Sequence, residues 1–268
     1  MSKKLKQGII SMSSYEVYLI NLDRSKDRLA KMHGLLKQFD IDYQRVTAVD
    51  AQTLTEEIYQ TVTTPNFEYP HQLKPGEIAC FLSHRSCWQK LVDSDNDWAL
   101  IFEDHCEFSP LAGQYLKSID WIPQECELVQ LIYSKNPVYT SQQISLRDGN
   151  VLATFSCSSP IGCSAYFISR KAAQEALANT QNISCPVDNF LFGPWSSYSK
   201  KIQAWRLLGA VVKRNETTKT TISGRGAENK TKNKERFHPC RLINKLKMKI
   251  HRIFMKKNYQ SWWTTPSD

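Results

Sequence analysis

The chain has 268 residues, 41% hydrophobic and 23% charged, a globular composition that excludes a disordered or fibrous protein. Its formal charge of +9 is concentrated in residues 230–257, where eleven Lys and Arg face one acidic residue, Glu235, and the rest of the chain is nearly neutral. Cys80, Cys87, Cys106, Cys126, Cys157, Cys163, Cys185 and Cys240 form no C-x-x-C pair, which argues against a zinc ribbon or redox motif and for free buried thiols in a reducing compartment.

The basic start, Met1 to Lys6, is followed by Ser11, Ser13, Ser14 and Glu16 rather than by an unbroken apolar run. No stretch of ~20 apolar residues follows, so the sequence predicts no signal peptide, no membrane span and a cytoplasmic protein. Val17 to Ile20 is a short apolar run of strand type that ends in Asn21-Leu22-Asp23-Arg24. Ser25 is placed to cap a helix in which Leu29, Met32, Leu36 and Phe39 recur at helical spacing. A second strand is expected from Ile41 to Val49, ending at Asp50. In open α/β sheets such polar strand ends are where ligands bind.

Thr53 to Thr63 is expected to be helical and Asn66 to Lys74 a loop. Pro75 opens a second long helix, at a position where its missing N–H costs nothing. Trp98 to Phe102 reads as a buried strand with Glu103-Asp104-His105 at its end, and Glu127 to Ile132 as another. Pro137 to Asn150 is polar and turn-rich, a predicted surface loop. Ala165 to Ile168 is a strand, and Ser169 caps a helix from Arg170 to about Ala178. Pro186-Val187-Asp188 begins a helix through Phe192, and Gln203 to Leu208 is expected to be the last strand. Thr217 to Lys234 reads as a linker. Beyond it Leu242, Leu246, Ile250, Ile253 and Phe254 recur at helical spacing against a Lys/Arg face. The alternation of strands and helices predicts an α/β fold with a mostly parallel sheet. The predicted division is 1–225 for the body and 226–268 for a basic amphipathic tail.

Glu103-Asp104-His105 is the sharpest local signal. Oxygen and nitrogen ligands at a strand end suit Mn²⁺ or Mg²⁺, which can bridge a diphosphate and act as a Lewis acid. The alternative is a solvated strand terminus. Arg24 and Arg28, beside Asn21, can hold phosphate oxygens through forked bonds, or pair with Asp23 and Asp27. Asp50 can accept from a ribose or base, or simply form a turn. Ser83 and His84 lie mid-helix near Trp88, where a sugar or nucleotide contact is permitted and a satisfied interior histidine is the ordinary case. Asp188 either favours the helix dipole or serves as a general base.

Six segments in order resemble glycosyltransferase family 25, the bacterial lipooligosaccharide-biosynthesis transferases. They are Val17 to Arg24 with Asp27-Arg28, Val46 to Ala51, Gly76 to His84, Ala99 to Asp104, Gly162 to Arg170 and Pro186 to Asp188. The resemblance runs from about Val17 to about Gly224. It implies a GT-A-like nucleotide-diphosphosugar transferase fold, a UDP-hexose donor (galactose or glucose), a lipooligosaccharide core acceptor and inversion at the anomeric carbon. It also implies that Asn21 and Arg24, with Ala48, Val49 and Asp50, line the nucleotide site, and that Asp104 belongs to an acidic metal motif. The family usually shows Glu-Asp-Asp where this chain has His105 third. The candidate donor site is therefore Asn21, Arg24, Arg28, Ala48, Val49, Asp50, Ser83, His84, Glu103 and Asp104. Asp104 and His105 are the candidate Mn²⁺ or Mg²⁺ ligands, and Asp188 is the candidate base.

The basic tail predicts a peripheral position on the anionic inner face of the bacterial inner membrane. Two other classes compete. A basic, non-enzymatic binding protein explains the tail but not the six segments, and no nucleic-acid motif is present. A metal-dependent phosphohydrolase would use Glu103, Asp104 and His105, but no second cluster is spaced for a two-metal site.

Overall fold

The structure, a computed structural model, describes residues 14–64, 72–156, 162–193, 196–215, 255–262 and the single residues Leu246, Lys249 and Ile253. Its strands are β1 (Tyr15–Asn21), β2 (Gln44–Thr47), β3 (Trp98–Glu103), β4 (Cys106–Phe108), β5 (Leu128–Gln130), β6 (Val138–Ser145), β7 (Val151–Ser156), β8 (Ala165–Ser169), β9 (Ala204–Leu207), β10 (Gly209–Ala210), β11 (Val212–Arg214), β12 (Lys256–Asn258) and β13 (Ser261–Trp262). Its helices are α1 (Lys26–Gln38), α2 (Glu56–Val62), α3 (Pro75–Asp93), α4 (Ala112–Leu116), α5 (Arg170–Ala178) and α6 (Val187–Phe192).

In β1, Tyr18 and Ile20 enter one core while Val17 and Leu19 enter the other. In β3, Ala99 and Ile101 face the first and Leu100 and Phe102 the second. Successive strand side chains point to opposite faces, so a strand covered on both sides reads as an unbroken apolar run. The first core is closed by α3, α5 and α6, through Ile78, Phe81, Ala172, Ala176 and Phe190. The second is closed by α1 and α4, through Met32, Leu36, Tyr115 and Leu116.

The main sheet has nine strands in the order β12-β6-β7-β9-β5-β8-β3-β1-β2. Six of them, β1, β2, β3, β5, β6 and β9, point the same way, and β7, β8 and β12 run against them. The expected α/β sheet with helices on its faces is present, mostly parallel in strand direction. Among the described residues of this sheet, direct parallel pairing is confined to β2-β1-β3 and β5-β9.

Several local expectations hold to the residue. Pro75 opens α3, and Ser169 Oγ accepts from the Ala172 N–H at the head of α5. Beside it, Arg170 donates to the Val92 carbonyl at 2.8 Å and to that of Asn96, which ties down the turn between α3 and β3. The stretch 137–150 is not a surface loop. Most of it is β6, which hydrogen-bonds to β7 on one side and β12 on the other. Near the sheet margin a strand has little apolar cover to take up, so β6 runs through Thr140, Ser141, Gln142 and Gln143 without the alternation that marks a strand, and its register to β7 shifts between Thr140 and Gln143. Gly149, at φ +85°, makes the turn into β7, which the sequence reading did not anticipate.

β9 matches its expected span but is not last. Residues placed by sequence in the basic tail form β12 and β13, which pair with β6 and β10. Gln260 between them is buried and bonds to the Ser134 N–H and to the carbonyls of Ile132 and Leu207. The linker expected at 217–234 lies outside the described residues.

Trp88 joins the helical and sheet layers. It is fully buried on α3, packs against Phe81 and Phe190, and donates its indole N–H to Tyr166 Oη on β8 at 3.0 Å. Trp88→Ala should lower unfolding free energy by ~3–5 kcal/mol, as urea denaturation would measure. A loss under ~1 kcal/mol would show that this contact does not couple the layers.

Candidate functional site

Parallel strands deliver their carboxyl ends to one edge of the sheet, and that edge carries the site. Asn21 ends β1, Ala48 and Val49 follow β2, Glu103 ends β3, and Tyr133 lies just beyond β5. Because β8 runs the other way, the segment that enters it, Gly162 to Ser164, reaches the same edge. The first turns of α3 and α6 close the sides. The result is a cleft of about 310 Å³.

The sequence-predicted residues converge there. Asn21, Arg24, Arg28, Ala48, Val49 and Ser83 line the cleft, and so do His84, Glu103, Asp104, His105 and Asp188. Asp50 is the exception, outside the lining. Its carboxylate forms an ion pair with Arg24 and accepts from the Gln52 N–H, so it holds the rim and orients an arginine.

Several of these side chains are committed to protein partners. Asn21 is buried, donates to Asp104 Oδ2 at 2.8 Å and to the Ser25 carbonyl at 3.0 Å, and accepts from Arg45 Nε at 3.1 Å. It is therefore a positioning residue for Asp104. Ser83 Oγ donates to the Ala79 carbonyl and accepts from the Val49 N–H at 2.9 Å, which fixes the Ala48-Val49 segment to α3. Arg28 reaches Asp104 Oδ1 at 3.4 Å rather than Asp27.

The Glu103-Asp104-His105 cluster divides. Asp104 turns toward Asn21 and Arg28, whereas Glu103 Oε1 turns toward His84 Nε2 at 3.4 Å and the Cys163 thiol at 3.2 Å. Opposite-facing neighbours are what a strand end produces. His105 stands between them, with Nδ1 3.6 Å from Glu103 Oε2 and 3.9 Å from Asp104 Oδ1, and Nε2 3.2 Å from Ser164 Oγ. One carboxylate oxygen and one imidazole nitrogen at this separation, open to a cleft, offer two donors to a divalent ion such as Mn²⁺ or Mg²⁺.

The buried charges are set by one another. Burial opposes charge on His84, but hydrogen bonds to Cys80 and Glu103 outweigh it and push the imidazole up to about 9. Burial also opposes charge on Glu103, yet His105, His84 and the Cys163 thiol hold that carboxyl well below the usual carboxylate range. The hydrogen bond from Cys163 brings the Cys80 thiol down to about 7 against its burial. Asp188 lies in the first turn of α6, accepts from the Asn189 N–H at 2.9 Å, and faces the cleft. Sequence reading missed Cys80, Tyr133, Cys163 and Arg214, which share the same walls.

Residues 14–191 match the family model described as glycosyltransferase family 25 (LPS biosynthesis protein). The chain belongs to that family. Among curated family 25 relatives, it is 30% identical over 184 residues to procollagen galactosyltransferase 2 of Homo sapiens, covering 66% of this chain and 29% of that protein. It is 29% identical over 187 residues to inactive glycosyltransferase 25 family member 3 of Mus musculus, covering 66% and 31%. The chain thus spans about three tenths of the length of these relatives. Among solved structures, a glycosyltransferase involved in the glycosylation of the major capsid of PBCV-1 aligns with 77% of this chain and 94% of its own, at TM-score 0.41 and 8% identity. The family 25 match takes in every candidate residue from Asn21 to Asp188.

Proposed function

We propose that the chain is an inverting, UDP-sugar-dependent hexosyltransferase that passes galactose or glucose to a lipooligosaccharide or lipopolysaccharide core. The observation that carries this reading is the meeting, in one cleft, of Arg24, Arg28 and Arg214 with Asp104-His105 and Asp188. Guanidinium groups bind phosphate oxygens through charge-assisted forks, so the arginines would hold the diphosphate. A divalent ion on Asp104 and His105 would supply further Lewis-acid stabilisation of the leaving group. Asp188 would accept the proton of the acceptor hydroxyl as its oxygen bonds to C1. The bond from C1 to the diphosphate oxygen breaks, and its electron pair leaves with UDP. Two of the animal relatives are procollagen galactosyltransferases, which favours galactose over glucose.

A thermal-shift screen with UDP, UDP-galactose, UDP-glucose, GDP-mannose and CMP-sialic acid, each with and without Mn²⁺, tests the donor. A ligand at ~100 times its dissociation constant stabilises by ~2.7 kcal/mol, several degrees in Tm. A manganese-dependent shift confined to uridine nucleotides is the expected result. A shift with another nucleotide class alone, or with none, overturns the reading.

The same proposal places the enzyme on the anionic inner face of the inner membrane. Leu246 and Ile253 are large apolar residues and both are highly exposed. No helix among the described residues is long and apolar enough to cross a membrane. The doubly substituted Leu246→Asp, Ile253→Asp chain should sediment less with phosphatidylglycerol vesicles than the parent. Equal sedimentation rejects the membrane role.

A further inference from the structure

One wall of the cleft holds a second constellation, two of whose members, His84 and Glu103, the sequence places in the donor site. Cys80 and His84 are four residues apart on α3, so both project from one face of the helix. Glu103 comes from the end of β3, and Cys163 from the segment leading into β8. The two sulfurs, the imidazole nitrogen and a carboxylate oxygen all lie within 4.8 Å of one another. From these positions we infer that Cys80, His84, Glu103 and Cys163 form a tetrahedral site for Zn²⁺, separate from the Asp104-His105 pair.

Geometry and donor chemistry agree. Zn–S bonds of ~2.3 Å and Zn–N or Zn–O bonds of ~2.0–2.2 Å place tetrahedral ligand atoms roughly 3.3–3.8 Å apart. Glu103 Oε1 already lies 3.2 Å from Cys163 Sγ and 3.4 Å from His84 Nε2. Every other pair of these ligand atoms lies within 4.8 Å. Two thiolates select a thiophilic ion over Mn²⁺ or Mg²⁺. The outer partners are in place as well. His84 Nδ1 lies 2.9 Å from Tyr166 Oη, which leaves Nε2 as the nitrogen facing the cluster. That bond to Tyr166 fixes the ring plane, as an outer partner does for metal-bound histidines generally.

All four positions of the ion are filled by protein. The site is therefore closed and structural, and has no open position for a water or substrate. Its effect is mechanical, since it ties α3, the end of β3 and the entry to β8 together under the donor cleft. The inference does not depend on which sugar is transferred, or on transfer at all.

Cobalt substitution of the full-length chain, prepared under a thiol-free reductant, tests it. Tetrahedral Co²⁺ bound to thiolate gives an intense sulfur-to-metal charge-transfer band. We expect one equivalent of Co²⁺ to produce it, Zn²⁺ to bleach it, and Cys80→Ser and Cys163→Ser each to remove at least half of it. Asp104→Asn should keep the band, so its loss of donor binding would bear on the transferase reading alone. Absence of the band in the parent, or its full survival in both cysteine variants, overturns the site. Should either variant fail to fold, X-ray absorption on the Zn²⁺-loaded parent decides. Two sulfur scatterers at ~2.3 Å support the site, and a shell of nitrogen and oxygen only refutes it.

Discussion

Asp188→Asn should stop hexose transfer and leave donor binding intact. The substitution keeps the size of the side chain and its acceptor oxygen, so the 2.9 Å bond from the Asn189 N–H can persist. What disappears is the ability to take a proton. General-base catalysis contributes ~10²–10⁴-fold, and turnover should fall by about that factor. KM for the donor should hold within experimental error, because nothing that grips the nucleotide has changed. Measurement of kcat and KM for both substrates separates the outcomes. Near parental turnover would remove Asp188 from the chemistry. A raised donor KM with unchanged kcat would make it a binding residue instead.

The second large effect is expected at Asp104. Its carboxylate is the acceptor for Asn21 Nδ2 and the neighbour of Arg28, so Asp104→Ala strips two buried or half-buried donors of their partner. Leaving such donors unmatched costs ~1–3 kcal/mol of folding free energy. Asp104→Asn is the cleaner probe, since an amide oxygen still accepts from Asn21. It removes the negative charge that would hold a divalent ion beside the diphosphate. Manganese-dependent UDP affinity, read by calorimetry, should drop by at least ~10-fold, equivalent to ~1.4 kcal/mol. Identical affinities with and without the substitution would dismiss Asp104 as a metal ligand.

Much of this site was legible because strands announce their ends. Val17 to Asn21 and Trp98 to Asp104 each pass from apolar to polar within one residue, and a sheet gathers such ends at one edge. Asp188 was visible through the proline before it. What was not legible is how neighbouring side chains divide their work. Glu103 and Asp104 adjoin in sequence yet face different partners, because a strand sends successive residues to opposite sides. Asp50, aligned with the nucleotide site by resemblance, holds Arg24 at the rim. Cys80 and His84 were within reach of pattern reasoning, since ligands four apart share a helix face. Cys163 was not, because only the reversed direction of β8 brings it across from α3. The strand β6 was hidden for another reason: a polar strand near a sheet margin carries no hydrophobic alternation, and turn-forming residues flank it, Asn136-Pro137 before and Asp148-Gly149-Asn150 after.

The late strand β12 has a consequence for how the protein is made. Thr140 in β6 and its partner Lys256 are separated by 116 residues. At synthesis rates of ~5–20 residues per second, the ribosome emits β12 roughly 6–23 s after β6. Through that interval the nascent chain displays one side of β6 as an open row of amides and carbonyls, able to recruit a neighbouring polypeptide. The stretch that waits for β12 is only Val138 to Thr140, and so short an open edge gives another chain little to pair with before its own partner arrives.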